Sequence, residues 1–229
     1  MNATDSDRSA ERAALVHLIQ REVRETARYT GRSELQGRVI DAIVEVPRER
    51  FVREFEVQSA YDNAPLPIGH RQTISQPYIV ALMTDLLEPQ PHHVVLEIGT
   101  GCGYQSAVLS GLVSQVYSVE VIAELADGAR ARLNNLGYAN ITTRQGDGNL
   151  GWQENAPYDG IIVTAGAPAV PPALIEQLKP GGRLVIPVND GMHQMLRRIS
   201  LDPDGYARIE DVLPVAFVPL VRASDRLRP

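Results

Sequence analysis

A chain of 229 residues with 22 lysines and arginines against 28 aspartates and glutamates has a formal net charge of -6, which argues against a general affinity for nucleic acid. Its single cysteine, Cys102, excludes an internal disulfide and a cysteine-based metal cluster, and suits a reducing compartment. No run approaches the roughly 20 apolar residues of a membrane span, and the length suits one domain with a substantial core.

The polar start, residues 1–8, is expected to be disordered and carries no apolar signal segment, so a cytoplasmic protein is expected. Arg8 to Arg28 then reads as a surface helix with Leu15, Val16, Leu18, Ile19 and Val23 on its apolar side, and Gly31 interrupts it. Ser33 with Gln36 resembles a capping box for a second helix through Val39, Ile40, Ile43 and Val44. Pro47 stops or restarts that helix, and a short helical turn is expected up to Phe55.

Tyr61 to Gln72 reads as a loop, because Pro65, Pro67 and Gly69 leave little room for a regular element. Ser75 is a natural N-cap for a helix that tolerates Pro77 in its first turn and runs to about Leu87, burying Ile79, Met83, Leu86 and Leu87. Such a helix start exposes unsatisfied N–H groups, so Ser75 either caps the helix or belongs to an end that holds a carboxylate. His92 and His93 sit side by side in what reads as an extended segment, where neighbours point apart. His17, His70 and His193 add no ligand spacing, so no metal is expected.

The organising stretch follows. Val94 to Ile98 is apolar apart from Glu97, as suits a central parallel strand, and runs into Gly99-Thr100-Gly101-Cys102-Gly103. The spacing is GxGxG, not the GxGxxG expected for a dinucleotide pyrophosphate. It therefore suggests a ligand without a pyrophosphate, such as S-adenosylmethionine (SAM). After a helical stretch, a second strand ends on Glu120, where a carboxylate can accept hydrogen bonds from both ribose hydroxyls. Ile122 to Leu136 is helical, and Asn140 to Arg144 forms a third strand. Gly146-Asp147-Gly148 sits just past it, at the edge where α/β sheets bind ligands. Asp147 could contact an adenine amino group or stabilise the turn, and Trp152 reads as a core anchor rather than an adenine neighbour. Tyr158 to Val163 is the fourth strand, left through the small residues Thr164-Ala165-Gly166-Ala167-Pro168, which leave space beside a ligand. A short helix after Pro172, a sharp turn at Lys179-Pro180-Gly181-Gly182 and a fifth strand from Arg183 to Pro187 come next. Gln194 to Ser200 and Glu210 to Leu220 are extended, joined by the turn Asp202-Pro203-Asp204-Gly205. Val215 to Leu220 is expected to be packed.

Several segments together carry a resemblance: Val46-Pro47-Arg48-Glu49-Arg50-Phe51-Val52, Leu66-Pro67-Ile68-Gly69, Gln72-Thr73-Ile74-Ser75-Gln76-Pro77-Tyr78, the glycine stretch, Gly146-Asp147-Gly148, Leu178-Lys179-Pro180-Gly181-Gly182 and Phe217-Val218-Pro219-Leu220. Over roughly residues 34 to 221 the chain resembles the protein-L-isoaspartate (D-aspartate) O-methyltransferase family. The resemblance implies an α/β fold: a Rossmann-like SAM-dependent methyltransferase sheet, mostly parallel with antiparallel C-terminal strands, and an N-terminal helical cap. It divides the chain into a tail (1–8), the cap with a substrate loop (9–90), a SAM-binding core (91–221) and a polar tail (222–229), all in one structural domain.

It also implies methyl transfer from SAM to the free carboxylate of L-isoaspartyl, and less efficiently D-aspartyl, residues in damaged proteins or peptides. The ester cyclises to a succinimide that hydrolyses partly to normal aspartate. By the same resemblance Ser75 is the catalytic serine, positioning the acceptor carboxylate. Thr73, Ile74, Ser75 and Glu97 bind the cofactor with the loop glycines Gly99, Gly101 and Gly103, while Glu120 holds the ribose and Asp147 with Gly148 lies by the adenine. Leu66, Ile68, Arg71, Ser75, Val218 and Leu220 line the substrate cleft. Bacterial members usually carry a small or amide pair where this chain has His70-Arg71, which could tune acceptor choice or face water. Ser75 lacks the glycines of a nucleophile elbow, so a Ser-His-Asp reading has no support. The alternatives are a SAM-dependent methyltransferase acting on a normal aspartyl or other peptide carboxylate, and a non-catalytic peptide-binding module. Neither nucleic acid nor membrane is expected as a partner.

Overall fold

The structure is a computed structural model that describes residues 8–221, so the expected tails lie outside the described residues apart from Arg8. Helix α1 (Ser9–Thr30) buries Leu15, Ile19 and Val23, a stripe at four-residue spacing, and ends on Gly31 in the left-handed region with its N–H on the Ala27 carbonyl. Helix α2 (Gly37–Glu45) follows without the expected capping box: Gln36 occupies the cap position with no side-chain bond. Its backbone N–H donates to Asp85 Oδ1 instead, at 2.8 Å. Two 3-10 turns, Arg48–Arg50 and Glu54–Ser59, replace the single helical turn expected there.

The next segment corrects the sequence reading. A hairpin of β1 (Leu66–Gly69) and β2 (Gln72–Ile74) stands where a loop was expected. Its turn is His70-Arg71, both in the left-handed region at φ 52 and 59. Helix α3 (Pro77–Leu87) then starts after Gln76, not after a Ser75 cap. The backbone N–H of Tyr78 is satisfied by Asn63 Oδ1 at 2.9 Å, so a distant asparagine serves the helix start. Every residue of α3 but Ile79 is buried, because the helix lies between α1 and α2 on one side and the sheet on the other.

The sheet and its helices are β3 (Val94–Ile98), α4 (Tyr104–Ser110), β4 (Gln115–Glu120), α5 (Ala123–Asn135), β5 (Ile141–Gln145), β6 (Tyr158–Val163), α6 (Pro172–Glu176), β7 (Leu178–Asp190), β8 (His193–Leu201) and β9 (Ala207–Val215). The strand order is β5-β4-β3-β6-β7-β8-β9, parallel from β5 to β7 and antiparallel from β7 to β9. The order reverses at β3, the topological switch point whose carboxyl-end crevice binds ligands in open α/β sheets. Val95, Ile162 and Val185 join the core shared with α1, α2 and α3, while Leu96, Ile161 and Leu184 pack on the opposite face with Leu174 of α6. That is the two-sided burial a parallel sheet requires.

Three further expectations are revised. Lys179 to Gly182 is not a turn before a strand but an irregular bulge within β7, between the pairs Tyr158–Leu178 and Gly160–Arg183. Strand β9 stops at Val215, short of the expected Leu220, so 216–221 lies outside the sheet, while Val215, Phe217 and Leu220 pack against the two cores as expected, each partly buried. His92 and His93 do not point apart: they occupy a turn, with ring centroids 4.8 Å apart. Among the described residues no group of three or more histidines, cysteines, aspartates or glutamates is placed to hold a metal ion.

Candidate active site

The loop after β3 needs its glycines. Gly99, Gly101 and Gly103 all have positive φ, at 96, 55 and 91. A Cβ on Gly99 would run into Thr164 Oγ1, and one on Gly101 would come within 3.3 Å of Ile68. The backbone there is thus close-packed between the β1 side of the hairpin and the end of β6. Thr164 closes the arrangement by donating to the carbonyls of Gly99 at 2.7 Å and Ile98 at 3.1 Å.

Glu120, at the end of β4, faces this loop. Its Oε2 accepts the Gly101 N–H at 2.8 Å and its Oε1 the Ile122 N–H at 3.0 Å, with only 5% of the residue exposed. A carboxylate has about four acceptor sites, so two remain after the backbone has locked its rotamer. Glu120 lines a cavity of about 560 Å³ together with Gly99, Gly101, Gly148, Thr164, Leu220 and Thr73.

Glu97 does not lie in this cavity, contrary to expectation. Its side chain points behind the loop, fully buried, and accepts from Ser118 Oγ at 2.6 Å and from the Ser106 hydroxyl. Ser118 in turn shares a 2.6 Å bond with Thr100. Burial pushes the Glu97 carboxyl up to about 8, with the two serine donors opposing it. Asp147 uses Oδ1 to brace its own turn, accepting from the Asn149 backbone N–H at 2.9 Å and side-chain amide at 2.8 Å, while Gly148 forms the cavity wall. Trp152 packs edge-on against Tyr117 and under Arg144, a core neighbour as expected.

Two further cavities meet the first. One of about 330 Å³ lies between Thr73-Ile74-Ser75 and the glycine loop. The other, about 1130 Å³, is a cleft lined by Ser75, Tyr78, Val215, Phe217 and Val218. Thr73 and Thr164 border all three. The Ser75 hydroxyl has no protein partner among the described residues, while its carbonyl accepts from Arg48 at 2.8 Å. Of the other expected residues, Val218 lines the cleft and the cofactor-side cavity, Leu220 only the latter, and Ile74 the smallest. Ile68 faces a separate groove beside the glycine loop. Leu66 is buried, Gly103 packs on Leu133, and Arg71 stands exposed at the hairpin turn, lining none of these cavities.

Sequence reasoning missed Asn63 and Arg48 as builders of the site, and read Thr164 only as one of the small residues that leave space beside a ligand. Arg48 is fully buried over the Tyr104 ring, 4.8 Å from its centroid, and also donates to the Ala60 carbonyl at 2.9 Å. No local pattern announces an arginine used this way. Gln194 is another: its side chain bonds both the N–H and the carbonyl of Phe217 and so hangs the 216–221 segment over the site. Gly166 holds the same segment through Val218 and Leu220.

Comparison with known proteins agrees with this geometry. Residues 21–225 match the family model described as protein-L-isoaspartate(D-aspartate) O-methyltransferase. A protein-L-isoaspartate O-methyltransferase 2 of Syntrophobacter fumaroxidans is 50% identical over 221 residues, covering 96% of this chain and 90% of that one. Its namesake in a Polaromonas species is 54% identical over 199 residues, covering 86% and 94%. A solved protein-L-isoaspartate O-methyltransferase superposes with a TM-score of 0.80 at 28% identity, covering 93% of this chain, which spans 66% of that longer one. A Plasmodium falciparum relative, solved in complex with S-adenosyl-L-homocysteine, shares the fold at TM-score 0.77 and 21% identity, covering 93% and 98%.

Proposed function

Because the chain belongs to the protein-L-isoaspartate (D-aspartate) O-methyltransferase family, and so methylates isoaspartyl and D-aspartyl carboxylates of damaged proteins from SAM, we propose that Ser75 positions the acceptor at the junction of its three cavities. The observation that carries this reading is the shared border: Thr73 and Thr164 wall both the Glu120 cavity and the Ser75 cleft. A donor held on one side and a carboxylate on the other meet there.

The residues present fit SAM. Gly99 and Gly101 of the loop line the cavity without side chains, and the fixed Glu120 carboxylate retains acceptor sites for the two ribose hydroxyls. Gly148 and the Val218-to-Leu220 segment supply the apolar walls of an adenine slot. When bound, SAM supplies an electrophilic methyl group on a sulfonium. The acceptor carboxylate is already ionised at neutral pH and needs no general base. The protein therefore orients the oxygen and excludes water: Ser75 donates to the acceptor, and Phe217, Val215 and Ile79 keep the cleft apolar, where partners of opposite charge gain most from neutralising each other. Ser75→Ala is expected to lower kcat on an isoaspartyl peptide by about 10- to 100-fold, one lost positioning contact, with an unchanged SAM dissociation constant. A folded variant with normal kcat removes Ser75 from the reaction.

The same proposal puts the enzyme in the cytoplasm, acting on proteins and peptides rather than nucleic acids or membranes. The net charge of -6 supports proteins and peptides over nucleic acids, and cell fractionation tests the location.

A further inference from the structure

The cleft around Ser75 is walled by apolar side chains and neutral polar groups, with one exception. Glu22, on the inner side of α1, is the single charged residue among the described residues that line it. Its placement is built rather than incidental. Oε2 accepts from Asn63 Nδ2 at 2.5 Å, and both oxygens lie within hydrogen-bond reach of Gln76 Nε2, at 3.1 and 3.2 Å. Asn63 is the residue that serves the start of α3, and Gln76 directly follows Ser75. The Thr26 hydroxyl ties the Glu22 carbonyl to the Tyr78 hydroxyl, 2.8 and 2.6 Å away, and so fixes the backbone as well. Both side-chain donors are neutral amides. No arginine, lysine or histidine comes within ion-pair distance of Glu22 among the described residues, although ion pairs are formed elsewhere on α1.

A fixed carboxylate in a largely apolar cleft that must admit another carboxylate is unfavourable unless something cationic accompanies the acceptor. The sulfonium of SAM faces the acceptor oxygen, whereas Glu22 borders only the cleft and neither cavity beside the glycine loop, so its own partner is a cation on the peptide. We propose that Glu22 is a specificity-determining residue, selecting isoaspartyl peptides that carry a lysine or arginine next to the damaged residue over those with an acidic neighbour. A cationic neighbour pairs with Glu22 while the isoaspartyl carboxylate is repelled from it, towards Ser75 and the methyl donor. This rests on the reading of the Ser75 cleft as the acceptor site.

The test uses full-length enzyme and three isoaspartyl peptides matched except for Lys, Ala or Glu beside the damaged residue. The wild type is expected to rank them Lys, Ala, Glu by kcat/KM, spanning about fivefold, the scale of one partly exposed charge pair. Glu22→Gln keeps an acceptor oxygen for Asn63 and is expected to bring the Lys-to-Glu ratio to about one. Glu22→Lys is expected to invert it, and neither changes the SAM dissociation constant. A Lys-to-Glu ratio that persists in Glu22→Gln overturns the proposal. Should the variants fail to fold, wild-type enzyme decides: its ratio must shrink as salt rises, and a salt-independent ratio overturns the proposal equally. Val215→Trp, which fills the cleft, separates the two levels. If it leaves the KM of all three peptides unchanged, the cleft reading itself has failed. If it raises them while Glu22→Gln keeps the ratio, only the role of Glu22 has.

Discussion

Glu97 and Glu120 end or nearly end neighbouring strands, yet they do opposite work. Glu120 is held by two backbone N–H groups at the edge of the cofactor cavity, and its place was legible because a strand-end acid at that distance from a glycine loop has few other uses. Glu97 reads in the sequence as part of the same motif, but which side of a doubly buried strand a residue faces depends on the helices packed there. Here α4 brings Ser106 against it, and one carboxylate oxygen, Oε1, is left without a partner. A carboxyl raised from 4.5 to about 8 makes stability depend on pH in a definite direction. Between those values the folded protein keeps a proton that the unfolded chain has released, so stability falls as pH rises through this window and levels off above it. Glu97→Gln has no such titration. In urea melts at pH 5, 6.5 and 8, its stability relative to wild type is expected to improve steadily with pH, at up to ~1.4 kcal/mol per unit. A stability relative to wild type that stays flat or falls as pH rises shows that the folded protein does not hold that proton.

The β1–β2 hairpin is the element that sequence reasoning lost. Pro65, Pro67 and Gly69 argue for a loop, and the turn pair His70-Arg71 carries none of the Asn-Gly chemistry that announces a two-residue hairpin. Both residues are nevertheless held at positive φ, a conformation that costs a non-glycine residue about 1–2 kcal/mol. The start of α3 misled for a related reason: Ser75 has cap chemistry, but the helix begins after Gln76 and takes its acceptor from Asn63, thirteen residues before Gln76 and invisible to local patterns. Long parallel strands and the glycine loop were legible because burial on both faces and close backbone approach each leave an unambiguous composition. Arg71→Gly is expected to relieve the turn. Glycine's larger unfolded-state entropy takes back part of the gain, leaving about 0.5–1 kcal/mol of stabilisation measurable by urea titration. A destabilised variant shows instead that the Arg71 side chain holds the turn.

At the scale of the whole molecule, the cofactor cavity is assembled from segments far apart in sequence. Thr73 comes from the hairpin, Gly99 from the loop after β3, Glu120 from the end of β4, Thr164 from the end of β6, and Leu220 from a segment hydrogen-bonded through Gly166 and Gln194. A ligand bridging these parts binds the folded chain and not the unfolded one, so it must stabilise the whole. S-adenosylhomocysteine, the product left after methyl transfer, at 100 times its dissociation constant contributes about 2.7 kcal/mol. For a chain of this size that is a rise of roughly 5–10 °C in Tm. Glu120→Ala removes a charged acceptor for two ribose hydroxyls, a loss of about 2–4 kcal/mol, or roughly 30- to 1,000-fold in affinity. The backbone N–H groups of Gly101 and Ile122 lose their partner in the same variant, so its own Tm falls before any ligand is added. The quantity to compare is therefore the ligand-induced shift within each protein, measured at one ligand concentration. It is expected to drop to about 3 °C or less in Glu120→Ala. A folded Glu120→Ala that keeps the full shift means that the nucleoside is held elsewhere on the loop.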